Sequence, residues 1–181
     1  RHRAEALIQH EVGTHILTYF NGRAQPLQQL YVGSPGYEEL QEGLAVLSEY
    51  LVGGLDQDRM RMLAARVVTV YHLTKGCSFT DNFHRLKDTY HFDEETAFDI
   101  AMRVHRGGGL TKDAVYLRGL VHLLQYLKDG GELEPLGGAA LVLLLRRSVL
   151  LHGLKAHLVE LGAELRVLRG DADGAGVAVT G

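Results

Sequence analysis

Along most of this chain apolar side chains recur at intervals of three and four residues, the spacing that lines one side of an α-helix. Residues 4 to about 19 carry Ala4, Leu7, Ile8, Val12 and Ile16 on one mostly apolar side, and Asn21-Gly22 marks the end of that helix. Residues 23–33 read as a loop with Leu27 and Leu30 as anchors. Ser34-Pro35 opens the next helix as an N-cap followed by a proline at the first helical position. Its core stripe is Leu40, Leu44, Leu47 and Leu51, and Gly53-Gly54 closes it. Asp56 to about Lys75 follows, with Gly76 as C-cap; Ser78 and Asp81 cap a short helix reaching Thr89. Asp93-Glu94-Glu95 sets negative charge at the start of a helix that runs to about Val104. Gly107-Gly108-Gly109 is a hinge or turn. Thr111 then caps a helix to Lys128, with Ala114, Leu117, Val121, Leu124 and Leu127 in helical register. Pro135 and Gly137-Gly138 break the chain again. The apolar run 139–145 is interrupted by Arg146-Arg147, far short of the ~20 residues of a membrane span, and reads as a buried helix continuing to His152. Residues 154–161 suggest a last helix and 165–168 a short strand, before a Gly- and Ala-rich flexible tail at 170–181. The pattern predicts a mainly α fold with little or no sheet.

The first helix also carries chemistry. It contains His10-Glu11-Val12-Gly13-Thr14-His15, and Gln41-Glu42-Gly43-Leu44-Ala45 arrives on the next helix. Two imidazoles and a carboxylate are a ligand set of catalytic zinc, and a further carboxylate can activate the metal's water. The familiar spacing, His-Glu-x-x-His, places the histidines one turn apart. Here they are five apart, roughly 140° of rotation on a regular helix. Both can reach one ion only if an extra residue is accommodated between them, as in a π-bulge. Gly13 would make that distortion cheap. The competing structural reading is a helix with two surface or capped histidines. Glu42 likewise has two readings. It lies nearly opposite the leucine stripe, so it belongs either to a solvated face with Glu38 and Glu49 or to a face turned towards the metal helix, with Gly43 allowing close approach.

The run HEVGTH, together with Tyr37-Glu38-Glu39-Leu40-Gln41-Glu42-Gly43-Leu44-Ala45, resembles the QEGLA-motif family of zinc peptidase-like proteins. Its bacterial members are described as modulators of flavohemoglobin expression, and the microtubule-associated tyrosine carboxypeptidase is an animal relative. The similarity continues through Arg103-Val104-His105-Arg106-Gly107 and Thr111-Lys112-Asp113-Ala114-Val115-Tyr116-Leu117, about three quarters of the chain, and weakens over the last forty or so residues. The resemblance implies a helical, zincin-like (gluzincin-type) metalloprotease domain. It also implies Zn2+ held by His10, His15 and Glu42, with Glu11 as the catalytic base. Family members extend considerably further on the N-terminal side. Since the motif begins nine residues in, the chain is expected to be the C-terminal part of a longer catalytic domain, spanning 1–169 and followed by the tail at 170–181.

A second constellation gains meaning beside that resemblance. Arg103, Arg106 and Lys112 bracket the triple glycine at a helix start, where free N–H groups and basic side chains suit an anion. A carboxypeptidase must hold the free carboxylate of a peptide or protein C-terminus, and arginine can do so with two parallel bonds. Tyr116, one turn on, is placed to donate to an oxyanion. The alternative is an ordinary helix–turn–helix with solvated cations. His72, His84 and His91 are read as surface or hydrogen-bonded residues.

Composition narrows the partners. A formal charge of −3 gives no electrostatic reason to expect nucleic acid or an anionic membrane. The single cysteine, Cys77, excludes an internal disulfide and a cysteine zinc cluster and suits a reducing, cytoplasmic setting. Three functions stay in play: a zinc metallocarboxypeptidase releasing a C-terminal residue, with tyrosine as the residue the resemblance offers; a catalytically silent zinc-binding regulatory or interaction protein; and a helical domain without metal.

Overall fold

A computed structural model of the protein describes residues 2–27, 29–33, 35–107 and 112–132. The Ser34 and Thr111 caps, the break at Pro135, the helices expected at 139–152 and 154–161, the strand at 165–168 and the tail at 170–181 lie outside the described residues. What is described is mainly α, and no strand occurs among the described residues. The order is α1 (His2–His10), a π turn (Glu11–Ile16), α2 (Leu17–Arg23), α3 (Gln29–Val32), α4 (Tyr37–Leu51), α5 (Gln57–Thr74), α6 (Phe79–His84), a second π turn (Arg85–Thr89), α7 (Glu94–His105) and α8 (Lys112–Lys128).

Where helix ends are set by local chemistry, they fall where the sequence puts them. Asp56 accepts a hydrogen bond from the Arg59 N–H at the start of α5, and Asp93 accepts from Thr96 at the start of α7. Ser78 and Asp81 form a reciprocal capping box on α6. Gly76 takes the left-handed conformation just past α5, with φ of 87°. Two differences concern the region before α4. Residues 29–32 form a short helix rather than loop, and α4 starts at Tyr37 with Gly36 as its left-handed cap.

α4 is the hub. From Glu42 to Glu49 every residue is buried, with α8 against one side and α1 and its π turn against another. The contact with α8 is backbone on backbone. A Cβ built at Gly119 would land on the carbonyl of Glu39, and one at Gly43 on the backbone of Gly119. Gly43 therefore does permit a close approach, but to α8 rather than to the metal helix as the sequence suggested. A second core lies at the α5–α6–α7 end, where Ala65, Leu86, Ala97, Ile100 and Ala101 pack with Met62, Phe79, Phe83, Tyr90 and Phe92.

One apolar stripe faces outward, and a second is only half-buried. In the first helix Ala4, Leu7, Ile8, Val12 and Ile16 are exposed, and Ala6, His10 and Thr14 are the buried positions. In α8, Val121 is exposed and Ala114, Leu117, Leu124 and Leu127 are half-buried; Asp113, Val115, Tyr116, Gly119, Leu120 and Leu123 face inward. In both helices the buried polar residues find partners on other helices, which a hydrophobic pattern does not register.

The Gly43–Gly119 crossing gives the first prediction. Gly119→Ala forces a methyl group into a carbonyl that cannot swing aside, so it should destabilise the fold by roughly 1–3 kcal/mol or more, as overpacking does. Chemical denaturation should show the lowered midpoint. An unchanged midpoint would mean α4 and α8 are not in backbone contact.

Candidate metal centre

The π turn decides what the first helix can do. A π turn closes hydrogen bonds five residues back rather than four, so residues five apart come onto one face. The Leu17 N–H reaches back to the Val12 carbonyl in this way. Thr14, buried, sends its hydroxyl to the Gln9 carbonyl at 3.1 Å and to Ser48 Oγ of α4 at 3.4 Å, tying the turn to the hub. Gly13 is not what permits the distortion: its φ is not positive, and a Cβ there would meet only the movable end of Gln9.

His10 and His15 thus turn together towards α4. Glu42 Oε2 lies 3.4 Å from His10 Nε2 and 3.5 Å from His15 Nε2. The three candidate ligand atoms are all within 4.8 Å of one another. Bonds of about 2.0–2.1 Å to a tetrahedral zinc set neighbouring ligand atoms about 3.4 Å apart, which the two separations from Glu42 match, and the donor set of two imidazoles and a carboxylate fits the group. Glu42 Oε2 is also buried with no hydrogen-bond partner among the described residues. An orphaned carboxylate oxygen aimed between two imidazole nitrogens calls for a cation.

His10 is held from behind. Its Nδ1 is 2.7 Å from Glu49 Oε1, and Glu49 in turn receives Arg59 Nε at 2.9 Å and Arg59 Nη2 at 3.0 Å. Burial opposes the charged imidazolium, but the adjoining Glu42 carboxylate and the hydrogen bond to Glu49 outweigh it and raise His10 to about 9. Burial likewise opposes a charged Glu42, and the adjoining imidazoles of His10 and His15 bring it down to about 2. Glu49 is lowered in the same manner, against its burial, by His10 and Arg59. Sequence reasoning left the face of Glu42 and Glu49 either solvated or turned towards the metal helix, and overlooked Arg59. The available signal was that Glu49 stands seven residues after Glu42, two helical turns along the same face.

The remaining expected site residues divide. Tyr116 is buried with its ring 6.2 Å from that of His10, and burial followed by the nearby Glu42 charge raises its phenol, keeping it a hydrogen-bond donor. Lys112 is mostly exposed, with Nζ 3.9 Å from Glu42 Oε1. Arg103 faces inward, its Nε 2.7 Å from Oδ1 of the fully buried Asp113. Arg106 is exposed at the end of α7. Arg103, Arg106 and Lys112 are therefore not assembled into one clamp. Glu11 is exposed at the head of the π turn, with no hydrogen-bond or ion-pair partner among the described residues. Arg66, which the sequence gave no reason to single out, lies near Arg103 and Arg59; burial and those two charges bring it down to about 10.

Beside the three converging side chains opens a cleft of about 560 Å³. His15, Tyr37, Glu42, Lys112, Val115 and Arg118 are among its walls. Arg118 is paired with Glu39, which also receives His122 Nδ1 at 2.6 Å. The cleft is therefore rimmed by both signs of charge, with Lys112 as the cation nearest Glu42. Among the described residues no helix is long and apolar enough to cross a membrane.

The described residues are mainly helical, two histidines of a π-bulged helix meet a glutamate of α4, and the comparisons give the family. The family model described as microtubule-associated tyrosine carboxypeptidase matches residues 1–138, and the chain belongs to that family. It is similar to the human putative tyrosine carboxypeptidase MATCAP2, with 30% identity over 139 residues, 69% of this chain and 25% of the relative. It is also similar to microtubule-associated tyrosine carboxypeptidase 1 of Rattus norvegicus, 30% identical over 134 residues, 67% of this chain and 28% of the relative. The chain spans about a quarter of the length of these relatives. No solved structure gives a significant match.

The titrations predict how the metal-free protein responds to pH. His10, raised from 6.5 to about 9, contributes stability that is whole below 6.5 and lost as pH rises through 9. Glu42, lowered from 4.5 to about 2, contributes stability present above 4.5 and lost as pH falls through 2. Melting temperature measured in chelator should therefore be highest between about pH 4.5 and 6.5 and decline towards 9. His10→Asn should flatten the alkaline limb; an alkaline limb that survives this substitution would dissociate it from His10.

Proposed function

We propose that this chain is the metal-binding part of a zinc metallocarboxypeptidase of gluzincin type, releasing a residue from the C-terminus of a peptide or protein. One observation carries the reading: the buried Glu42 Oε2, without a hydrogen-bond partner among the described residues, set between two imidazole Nε2 atoms. His10, His15 and Glu42 hold the ion. When bound, zinc supplies a Lewis acid that polarises a carbonyl and lowers the pKa of water towards ~7. Glu11, next in sequence to His10 and exposed at the head of the π turn, takes the proton of the attacking water and returns it to the leaving amine. Tyr116, kept protonated by burial, donates to the oxyanion. Lys112, at the cleft wall, is the cation placed to meet a substrate carboxylate; Arg103 is committed to Asp113. The names of the relatives suggest tyrosine as the released residue.

A second reading is favoured by a specific observation. The clamp expected of a carboxypeptidase is not gathered from Arg103, Arg106 and Lys112 in the described residues, which suits a zinc-binding regulatory or interaction protein without turnover. Metal content and hydrolysis distinguish the two from each other and from a metal-free helical domain.

Protein purified without a histidine tag should contain about one zinc per chain by elemental analysis, and Glu42→Ala should lose it while helicity persists. Protein that stays metal-free after refolding with added zinc would overturn the assignment. On peptides, a free C-terminus should be trimmed by one residue and an amidated one largely spared, because a charge-assisted contact is worth roughly 1.5–3 kcal/mol. Cuts within the peptide would point instead to an endopeptidase.

The base has its own test. Glu11→Gln preserves size but cannot accept the proton, so hydrolysis should fall by about 10²–10⁴-fold with zinc content unchanged. Loss of zinc in that variant would make Glu11 a ligand. Unchanged turnover would remove it from the mechanism.

A further inference from the structure

Glu42 and Glu49 stand seven residues apart on α4, two turns on one face, and the His10 ring lies between them. Its Nε2 faces Glu42 and its Nδ1 faces Glu49. The two carboxylates are equally buried but differ in saturation. Glu49 uses both oxygens, Oε1 on His10 Nδ1 and Arg59 Nη2, Oε2 on Arg59 Nε. Glu42 Oε2 has no hydrogen-bond partner among the described residues. His15 has no comparable support: among the described residues its only ion-pair contact is with Glu42.

We propose, resting on the zinc reading above, that Glu49, anchored by Arg59, is the positioning residue of the site: it holds the Nδ1–H of His10 so that Nε2 presents its lone pair to the ion. A neutral imidazole that donates from Nδ1 has its acceptor at Nε2, so the contact fixes both tautomer and ring rotation. Arg59 stops Glu49 from turning, by a two-point contact whose geometry matches the carboxylate, and neutralises it. The saturated oxygens of Glu49 separate its role from that of Glu42: one carboxylate orients, the other is open to bind. His10 is in consequence the anchored ligand and His15, half-buried and supported only from the front, the adaptable one. α4 thus supplies one ligand and the orienting group of another, so anything that shifts α4 moves both together.

The test measures zinc affinity by chelator competition on folded, metal-free protein, alongside its melting temperature and the visible spectrum of the cobalt-substituted form. Glu49→Gln should weaken zinc binding by about 10–100-fold, the usual worth of such an outer partner, and shift the cobalt bands. Arg59→Lys, which keeps the charge but not the two-point contact, should weaken it less. A merely structural Glu49 would lower the metal-free melting temperature and leave affinity and cobalt bands as in wild type; that result overturns the proposal. If Glu49→Gln does not fold, Arg59→Lys decides alone: wild-type affinity in that variant refutes the anchoring, and a measurable loss supports it. Failure of wild type itself to take up zinc would overturn the zinc reading and this proposal with it, whereas wild-type uptake with unaffected variants would overturn the positioning role only.

Discussion

Burying charge in a helical core is the constraint around which this protein is arranged. Glu42, Glu49 and Asp113 are all buried, and a buried carboxylate is tolerable only when paired and hydrogen-bonded. Each has its partner on another element: His10 and His15 from the first helix, Arg59 from α5, Arg103 from α7. These pairs determine which side of each helix faces in. They explain why the first helix turns its imidazoles and Thr14 towards α4 while Leu7 and Ile8, at 60% and 56% exposure, stay outside. Releasing one partner would leave a buried charge uncompensated, a penalty of several kcal/mol that no single exposed leucine repays.

That ordering explains what could and could not be read from the sequence. Caps are local chemistry, so Asp56, Ser78 with Asp81, and Asp93 were legible and fall at helix starts. The five-residue interval between His10 and His15 was legible as a demand for one extra residue in the turn, and a π turn lies between them. The inward side of the first helix was not legible, because the partners that draw it inward stand 27 to 39 residues away, and hydrophobic periodicity knows nothing of them. The same limitation left the place of Glu49 open. On its own helix it reads as one more exposed acid; only the fold brings His10 and Arg59 to it.

Small residues do the complementary work. Gly43, between Glu42 and Leu44 in the QEGLA motif, lies against Gly119 of α8, and the missing side chains let the two backbones touch. That crossing brings Tyr116, one turn before Gly119, beside His10, and Lys112 beside Glu42. A motif that reads as chemistry is therefore half packing: Glu42 faces the imidazoles, and the glycine after it sets how near α8 comes. The reach of α8 into the site follows from an absent methyl group as much as from any polar contact.

Charge bookkeeping across this arrangement also bears on how a cation would enter. Without an ion, the imidazolium of His10 balances Glu42, and Arg59 balances Glu49, so the cluster is close to neutral. Under the zinc reading the ion takes the proton's place between the same atoms, and binding must release that proton. His10 would then be neutral, its Nδ1–H still on Glu49. Glu49 with Arg59 braces the His10 ring, and the Thr14–Ser48 contact braces the π turn. Such preorganisation in the backing shell, more than the ligand triad alone, is what separates a built site from three side chains that happen to meet.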